Sequence, residues 1–306
     1  MIDDKPKVAV CLAAFNGRQW LDEQIDTILA QANVDVTLFI SVDRSTDGTE
    51  DLVDARARDD ARIVALTHGE RFGGAARNFF RLLRDLDFTE FGYVGFSDQD
   101  DIWFPDKLST ATTVLRQTGA DAYSSDVIAF WPSGRRLLIR KSQPQREADF
   151  LFEAAGPGCT YVMKVSLVQE LQFFLAARWA DLHSVALHDW FSYAMARAKG
   201  YRWIIDARAG MLYRQHSSNQ LGVNSGLKAL KYRATAILSG WAFSQSYLIA
   251  SLVGLAEHTL VSRGIKGGRI GSLWLAFQAG RCRRRLRDRV YFVVSCFVVA
   301  MTGHRQ

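Results

Sequence analysis

The chain has 306 residues, enough for one large α/β domain with an appendage or for two modest domains. Its hydrophobic fraction of 48% and charged fraction of 23% exclude a disordered, collagenous or low-complexity chain, and no internal period marks a repeat array. The net charge of +6 is concentrated: Arg281, Arg283, Arg284, Arg285, Arg287 and Arg289 against Asp288 give +5 within nine positions, which argues against a nucleic-acid face spread over the molecule.

In chain order, residues 8–14 read as a β-strand, followed by an amphipathic helix with Trp20, Leu21, Ile25, Ile28 and Leu29 on one side. Residues 36–42 form a second strand, 50–58 a second helix, 62–67 a third strand, 75–86 a third helix and 91–96 a fourth strand. Parallel neighbours need long crossovers, so this alternation predicts a mixed, mostly parallel sheet flanked by helices. Ligands of such sheets lie beyond the carboxyl ends of the strands. The polar segments Asn16-Gly17, Asp43 to Asp47 and Asp98 to Asp101 are therefore expected on one rim.

A helix is predicted from Pro105 to about Thr118, then strands over 122–130 and 136–141 around the turn Trp131-Pro132-Ser133-Gly134. Residues 142–155 read as a loop and 159–163 as β-like. Helices follow over 165–177 and 189–199, with closing strands over 201–205 and 211–214. From Leu227 onward the pattern is helical. The expected division is 1–224 for the catalytic domain and 225–306 for a C-terminal helical appendage.

Four cysteines, Cys11, Cys159, Cys282 and Cys296, lack a CxxC spacing, which argues against a zinc site or disulfide framework and fits a reducing compartment. The first seven residues lack a signal-peptide core, and the apolar run 8–14 is only seven residues long, so secretion is not expected. Neither a GxGxxG nor a P-loop is present, and no cysteine–histidine pairing points to nucleophilic catalysis.

The chemistry concentrates at Asp98-Gln99-Asp100-Asp101, after an apolar strand and before Ile102-Trp103-Phe104-Pro105. Crowded carboxylates repel one another, and their oxygens suit Mg²⁺ or Mn²⁺, which keep positions open for substrate phosphates. The competing reading is a solvated acidic loop that caps the following helix. Asp47, with Glu50 reaching back, reads as a helix cap. Arg71 and Arg77 stand between the third strand and its helix, placed either to meet a diphosphate or simply to solvate a helix start.

Residues 9–17, Ser41-Val42-Asp43-Arg44-Ser45-Thr46-Asp47-Gly48-Thr49 and Phe96-Ser97-Asp98-Gln99-Asp100-Asp101-Ile102-Trp103 together resemble the family 2 glycosyltransferases of GT-A fold. The SDQDDIW form, followed by His188-Asp189-Trp190 and Tyr213-Arg214-Gln215-His216, is similar to the rhamnosyltransferase-like branch. The likeness spans roughly residues 8–222 in order.

That resemblance implies an inverting transfer from a nucleotide-diphosphate sugar, dTDP- or UDP-linked, with Mg²⁺ or Mn²⁺ as cofactor. It implies Asp189 as the general base and Asp100, Asp98 and His216 around the metal; His216 also reads as a diphosphate contact or a structural histidine. Ala14, Asn16, Asp43, Arg71, Arg77 and Asp98 fall on the donor side, with Asp43 meeting the N3–H of uracil or thymine. Gly158, Cys159, Thr160, His188 and Trp190 fall on the acceptor side. Val42 and Arg44 depart from the family pattern at the base site, where Asp and Gly are expected. A metal-dependent nucleotidyltransferase and a non-catalytic sugar-nucleotide scaffold are the competing readings.

The implied acceptor is a lipid-linked or cell-surface glycan, and dTDP-L-rhamnose the implied donor. Residues 290–302 form a thirteen-residue apolar run beside the arginines, short of the roughly 20 residues that span a bilayer. Two readings stand: an anchor in the cytoplasmic leaflet of the cell membrane, or a buried helix or subunit interface in a homo-oligomer.

Overall fold

The computed structural model describes residues 5–216 and 240–302. The strand β1 (Lys7–Ala14) lies between β2 (Asp35–Val42) and β4 (Tyr93–Ser97), parallel to both, with β3 (Ile63–Ala65) beyond β2. The helices α1 (Arg18–Leu29), α2 (Thr49–Asp59) and α3 (Ala75–Asp85) are the crossovers that parallel pairing demands. Alternate side chains of β1 face opposite sides of the sheet. Val8, Val10 and Leu12 pack with Leu21, Ile25 and Ile28 of α1, whereas Ala9 and Cys11 meet Phe79, Phe80 and Leu83 of α3. Burial on both faces explains why these strands read as unbroken apolar runs.

The chain continues through β5 (Ile102–Trp103), α4 (Lys107–Thr118), β6 (Ala122–Ser125), β7 (Val127–Phe130) and β8 (Arg136–Ile139). After a loop come β9 (Val162–Lys164), α5 (Val165–Arg178), α6 (His188–Ala198), β10 (Trp203–Asp206) and β11 (Met211–Arg214). The main sheet has the order β10-β6-β9-β4-β1-β2-β3, with β9 antiparallel to both neighbours, and a second sheet runs β5-β11-β7-β8.

Several expectations are corrected in detail. The strand expected over 122–130 is two strands in different sheets, broken at Asp126, whose buried carboxylate accepts hydrogen bonds from the 141–142 segment. The two-residue strand β5 was not foreseen. Residues 158–160 form a 3₁₀ turn before β9 rather than part of the strand. Gly48, at φ 83°, is the N-cap of α2; Asp47 supports the turn by accepting from Thr49 N and Oγ1, and Glu50 reaches back to Ser45 N.

The expected domain boundary at 224/225 lies outside the described residues. The helices α7 (Trp241–Leu252), α8 (Gly268–Ala276), α9 (Ala279–Cys282) and α10 (Leu286–Thr302) contribute Phe243, Ile249, Leu275, Cys282 and Val299 to the same core as α3 and α6. The basic cluster is divided. Arg284 is buried and bonds Asp149 at 2.7 Å; Arg281 pairs with Glu147; Arg283 lies 3.8 Å from Glu153; Arg289 donates to the carbonyls of Arg283 and Arg284. These four cations hold α9 and α10 to the 147–154 loop and to one another. Arg287 is exposed and Arg285 half-buried, neither bound to that loop, so the charge available to a membrane surface is smaller than the sequence implies.

Candidate active site

The register Ala14↔Val42 and Leu12↔Ser97 brings three strand ends to one edge. Loops crossing that edge are tied to each other. Gln99 donates from Nε2 to Phe15 O at 2.9 Å and accepts from Phe15 N at 2.7 Å. A Cβ on Gly17 would sit 2.2 Å from the Gln99 side-chain oxygen, so only glycine permits this contact. Asn16, at φ 47°, accepts from Thr46 N at 2.8 Å. The Ala14 carbonyl accepts from Asp43 N and from Asn78 Nδ2.

Asp43 is buried, and its two oxygens accept from Phe72 N and Gly73 N at 2.8 and 2.9 Å. Its first duty is to fold the 72–74 loop over the strand-end rim; a ligand would meet its remaining lone pairs. Arg77 also serves this loop, donating to Phe72 O and His183 O. Arg71 is exposed on the same loop.

Behind the rim lie three acids. Asp100 Oδ2 is 2.6 Å from His216 Nε2, and the His216 ring stacks on Trp20 with centroids 4.1 Å apart. Asp101 is fully buried, accepts from Arg214 N at 3.1 Å through Oδ1, and leaves Oδ2 without a hydrogen-bond partner. Burial, with the charges of Asp100 and Asp98, holds its carboxyl well above the usual range. Asp98 is pushed up to about 7 by burial and by the charges of Asp100 and Asp189.

Asp98, Asp101 and Cys159 bring their ligand atoms within 4.8 Å of one another. Burial drives the Cys159 thiol upward, so it remains protonated. A protonated thiol is a poor partner for hard cations, and Mg²⁺ or Mn²⁺ favours oxygen ligands. The donor pair that fits a divalent cation is therefore Asp100 with His216, 2.6 Å apart; the imidazole favours Mn²⁺ over Mg²⁺.

Asp189 lies at the second position of α6, so it is not the helix cap; Leu187 is. Its Oδ1 accepts from Trp190 N at 2.7 Å. Burial raises its carboxyl to about 6, against the pull of the Trp190 amide, the Lys141 charge and the Gly158 amide. Gly158 touches it closely: a Cβ there would lie 2.6 Å from His188 Nε2 and 3.1 Å from Asp189 Cβ. Asp98 and Asp189 are near enough for the charge of Asp189 to raise the Asp98 carboxyl.

The remaining acceptor-side expectations need correction. Cys159 and Thr160 are fully buried; the Thr160 hydroxyl donates to Pro157 O and the Cys159 thiol faces the acids. The Trp190 indole is buried and donates to Phe150 O. His188 stacks on Phe79 at 3.8 Å, and burial lowers its imidazole to about 3, so it is neutral. These side chains build the floor on which Gly158 and Asp189 sit and do not offer contacts to an acceptor.

Three functional contributors escaped the sequence reading. Arg214 braces the acidic turn, donating to Asp100 O at 2.7 Å and to Glu23 at 2.5 Å. Lys107 is buried, with its ammonium 3.4 Å from the centre of the Trp103 ring and its pKa lowered by burial to about 7. Gln99 links the two rim loops. Arg214 and Gln99 carry a signal, their places in the Tyr213-Arg214-Gln215-His216 and Asp98-Gln99-Asp100-Asp101 motifs; Lys107 carries none.

Comparison with known proteins fits this geometry. Residues 9–155 match the family described as Glycosyl transferase family 2. The chain is 40% identical over 284 residues to the dTDP-rhamnosyl transferase RfbG of Shigella flexneri, covering 92% of this chain and 98% of that protein. The chain belongs to glycosyl transferase family 2. This glycosyltransferase is also 34% identical, over 35% of its length and 41% of the relative's, to the putative teichuronic acid biosynthesis glycosyltransferase TuaG of Bacillus subtilis. Among solved structures it resembles S. aureus TarS 1-349 in complex with UDP-GlcNAc, with a TM-score of 0.57 at 12% identity, covering 97% of this chain and 90% of that one. The mannosyltransferase PcManGT from Pyrobaculum calidifontis, in complex with GDP-Man and Mn²⁺, gives 0.54 at 18% identity over 98% and 87%. Both likenesses establish the GT-A-like fold. Membership of the family sets aside the nucleotidyltransferase and scaffold readings.

Proposed function

We propose that this glycosyltransferase moves L-rhamnose from dTDP-L-rhamnose to a hydroxyl of a glycan acceptor, with inversion at the anomeric carbon. The observation that carries the donor is the 40% identity, over nearly the whole of both chains, to a dTDP-rhamnosyl transferase. Asp189 accepts the proton of the acceptor hydroxyl. The hydroxyl oxygen bonds to the anomeric carbon as the bond from that carbon to the diphosphate oxygen breaks, and the electron pair leaves with dTDP. A carboxyl near pKa 6 is ionised at neutral pH and basic enough to share the proton in the transition state. Asp100 and His216, with Asp98, would hold a divalent cation, which when bound neutralises charge on the departing diphosphate. Asn16 and the 72–74 loop folded by Asp43 position the donor.

The test is dTDP release from dTDP-L-rhamnose, compared with UDP- and GDP-sugars, with and without Mn²⁺. Asp100→Ala is expected to abolish the Mn²⁺-dependent part of dTDP binding in calorimetry while the fold persists. Unchanged affinity in that variant removes the metal assignment; equal turnover of all donors removes rhamnose.

We also infer that the enzyme works at an anionic lipid surface, beside a lipid-linked acceptor. No helix among the described residues is long and apolar enough to cross a membrane. Yet α10 presents Leu286, Val290, Val294, Phe297 and Met301 to solvent at helical spacing, and the packed helix α8 leaves Ile270 82% exposed, with Phe277 just beyond it equally so. Apolar stripes of this size mark interaction surfaces. Residues 241–302 carry nine Lys and Arg against Glu257 and Asp288, a sign that suits anionic headgroups.

A further inference from the structure

Lys141 lies just past β8, where the chain turns toward the loop of Glu147, Asp149 and Glu153. Its backbone is pinned by Asp126, the residue at which the chain passes from one sheet to the other. That carboxylate accepts from Lys141 N at 2.6 Å and from Ser142 N and Oγ at 2.9 and 3.0 Å. The stem of Lys141 runs along Gly156: a Cβ on that glycine would lie 3.7 Å from Lys141 Cβ and Cγ. Two residues on, Gly158 packs against Asp189. One short turn thus carries the cation on one side and the proton acceptor on the other, and the charge of Lys141 acts on Asp189.

The neighbouring acids are already engaged. Glu153 accepts from Arg284 N at 2.7 Å and lies 3.8 Å from Arg283, while Asp288 is 3.4 Å from Arg287. Among the described residues the Lys141 ammonium makes no hydrogen bond and no ion pair, although the residue is half-buried. A half-buried ammonium without a partner keeps its charge open to an anion that enters from solvent. Beside a proton acceptor, such a cation is placed to meet an anionic ligand.

We propose that Lys141 is a specificity-determining residue of the acceptor site that holds an anionic group of the acceptor, a phosphate or a carboxylate, while Asp189 receives the proton of the neighbouring hydroxyl. This rests on the reading of Asp189 as the base of a glycosyl transfer. A lipid-linked glycan would bring the charge as its diphosphate, and an acidic glycan would bring it as a uronate.

The full chain, saturated with dTDP and Mg²⁺ so that the donor side is filled, is titrated by calorimetry with farnesyl diphosphate and separately with D-glucuronate. At least one is expected to bind, with Lys141→Met weakening it roughly tenfold to hundredfold, the worth of a charge-assisted hydrogen bond, and Lys141→Arg recovering most of the loss. Binding of farnesyl diphosphate alone identifies the lipid diphosphate as the source, and binding of glucuronate alone identifies an acidic sugar. The proposal is overturned if neither anion binds the wild-type protein, or if Lys141→Met binds them as well as wild type does. The dTDP affinity, unchanged in both variants, separates this outcome from failure of the donor reading, in which dTDP itself does not bind.

Discussion

At the strand-end rim, Asn16, Asp43 and Gln99 find their partners on neighbouring strand ends or on backbone amides of the adjacent loop. In the C-terminal helices, Arg284 reaches Asp149 across 135 residues of sequence, and the exposed positions carry Ile270, Phe277, Leu286 and Met301. The first region obeys a rule of topology: parallel strands end on one side, so polar residues after them meet. The second is assembled by long-range pairing that no local pattern encodes. It follows that charges at the rim should respond to substitution through chemistry, and those of the C-terminal region through stability or surface binding.

The largest effect belongs to the site. Asp189→Asn is expected to lower turnover by about 10²–10⁴-fold while leaving dTDP affinity intact. Steady-state dTDP release and calorimetry on the same preparation check both halves. In the wild type, kcat/KM should fall about tenfold per pH unit below about 6, because the ionised base is lost as pH falls through its pKa. The stability consequence has the opposite sign. The folded-state pKa lies above the ordinary carboxylate value, so this group's contribution to stability is present below about pH 4 and lost as pH rises through about 6. Asp189→Asn should therefore melt at or above the wild-type temperature at pH 7.5. A variant that is both slow and clearly less stable would assign Asp189 to structure.

Next comes Arg284→Ala. Removing it leaves Asp149, which is fully buried, with Tyr193 and the more distant Arg197 only. Breaking such a pair costs about 3–5 kcal/mol, and the partial rescue by Tyr193 and Arg197 places the expectation near the lower figure. Urea unfolding of the two proteins measures it. If Arg284→Ala unfolds like wild type yet loses lipid binding, the arginine cluster is a membrane device after all.

The parts legible in the sequence were those set by local rules. Unbroken apolar runs at residues 8–14, 36–42 and 91–96 announced strands buried on both faces, and the acids after them announced the rim. Asp126 was hidden because its neighbours on both sides are β-formers; nothing local says that 122–125 and 127–130 join different sheets. The inward turn of Cys159, Thr160 and Trp190 was hidden for a related reason. A motif tells which residues lie near a site, whereas burial decides whether a side chain or only its backbone faces it. Lys141 was invisible, since its position follows from Asp126 and Gly156, which are 15 residues away on either side.

The smallest expected effect sharpens the division of the arginine cluster. Arg287 is largely exposed, 3.4 Å from Asp288, and Arg285 is half-buried, with neither tied to the 147–154 loop. A basic residue near an anionic surface contributes about 1 kcal/mol, and the Asp288 contact takes back part of that for Arg287. The double substitution Arg285→Gln, Arg287→Gln should therefore weaken sedimentation with phosphatidylserine-containing liposomes by roughly fivefold to thirtyfold at low salt. The difference should shrink as salt is raised, because screening acts on exposed charges first. Arg281→Gln should change liposome binding little, since its guanidinium is committed to Glu147 through two hydrogen bonds. Equal losses from both substitutions would mean that the Arg281–Glu147 pair opens at the membrane. No sedimentation of the wild-type protein at all would hand the exposed stripes of α8 and α10 to a second copy of the chain, which analytical ultracentrifugation would then detect as a concentration-dependent dimer.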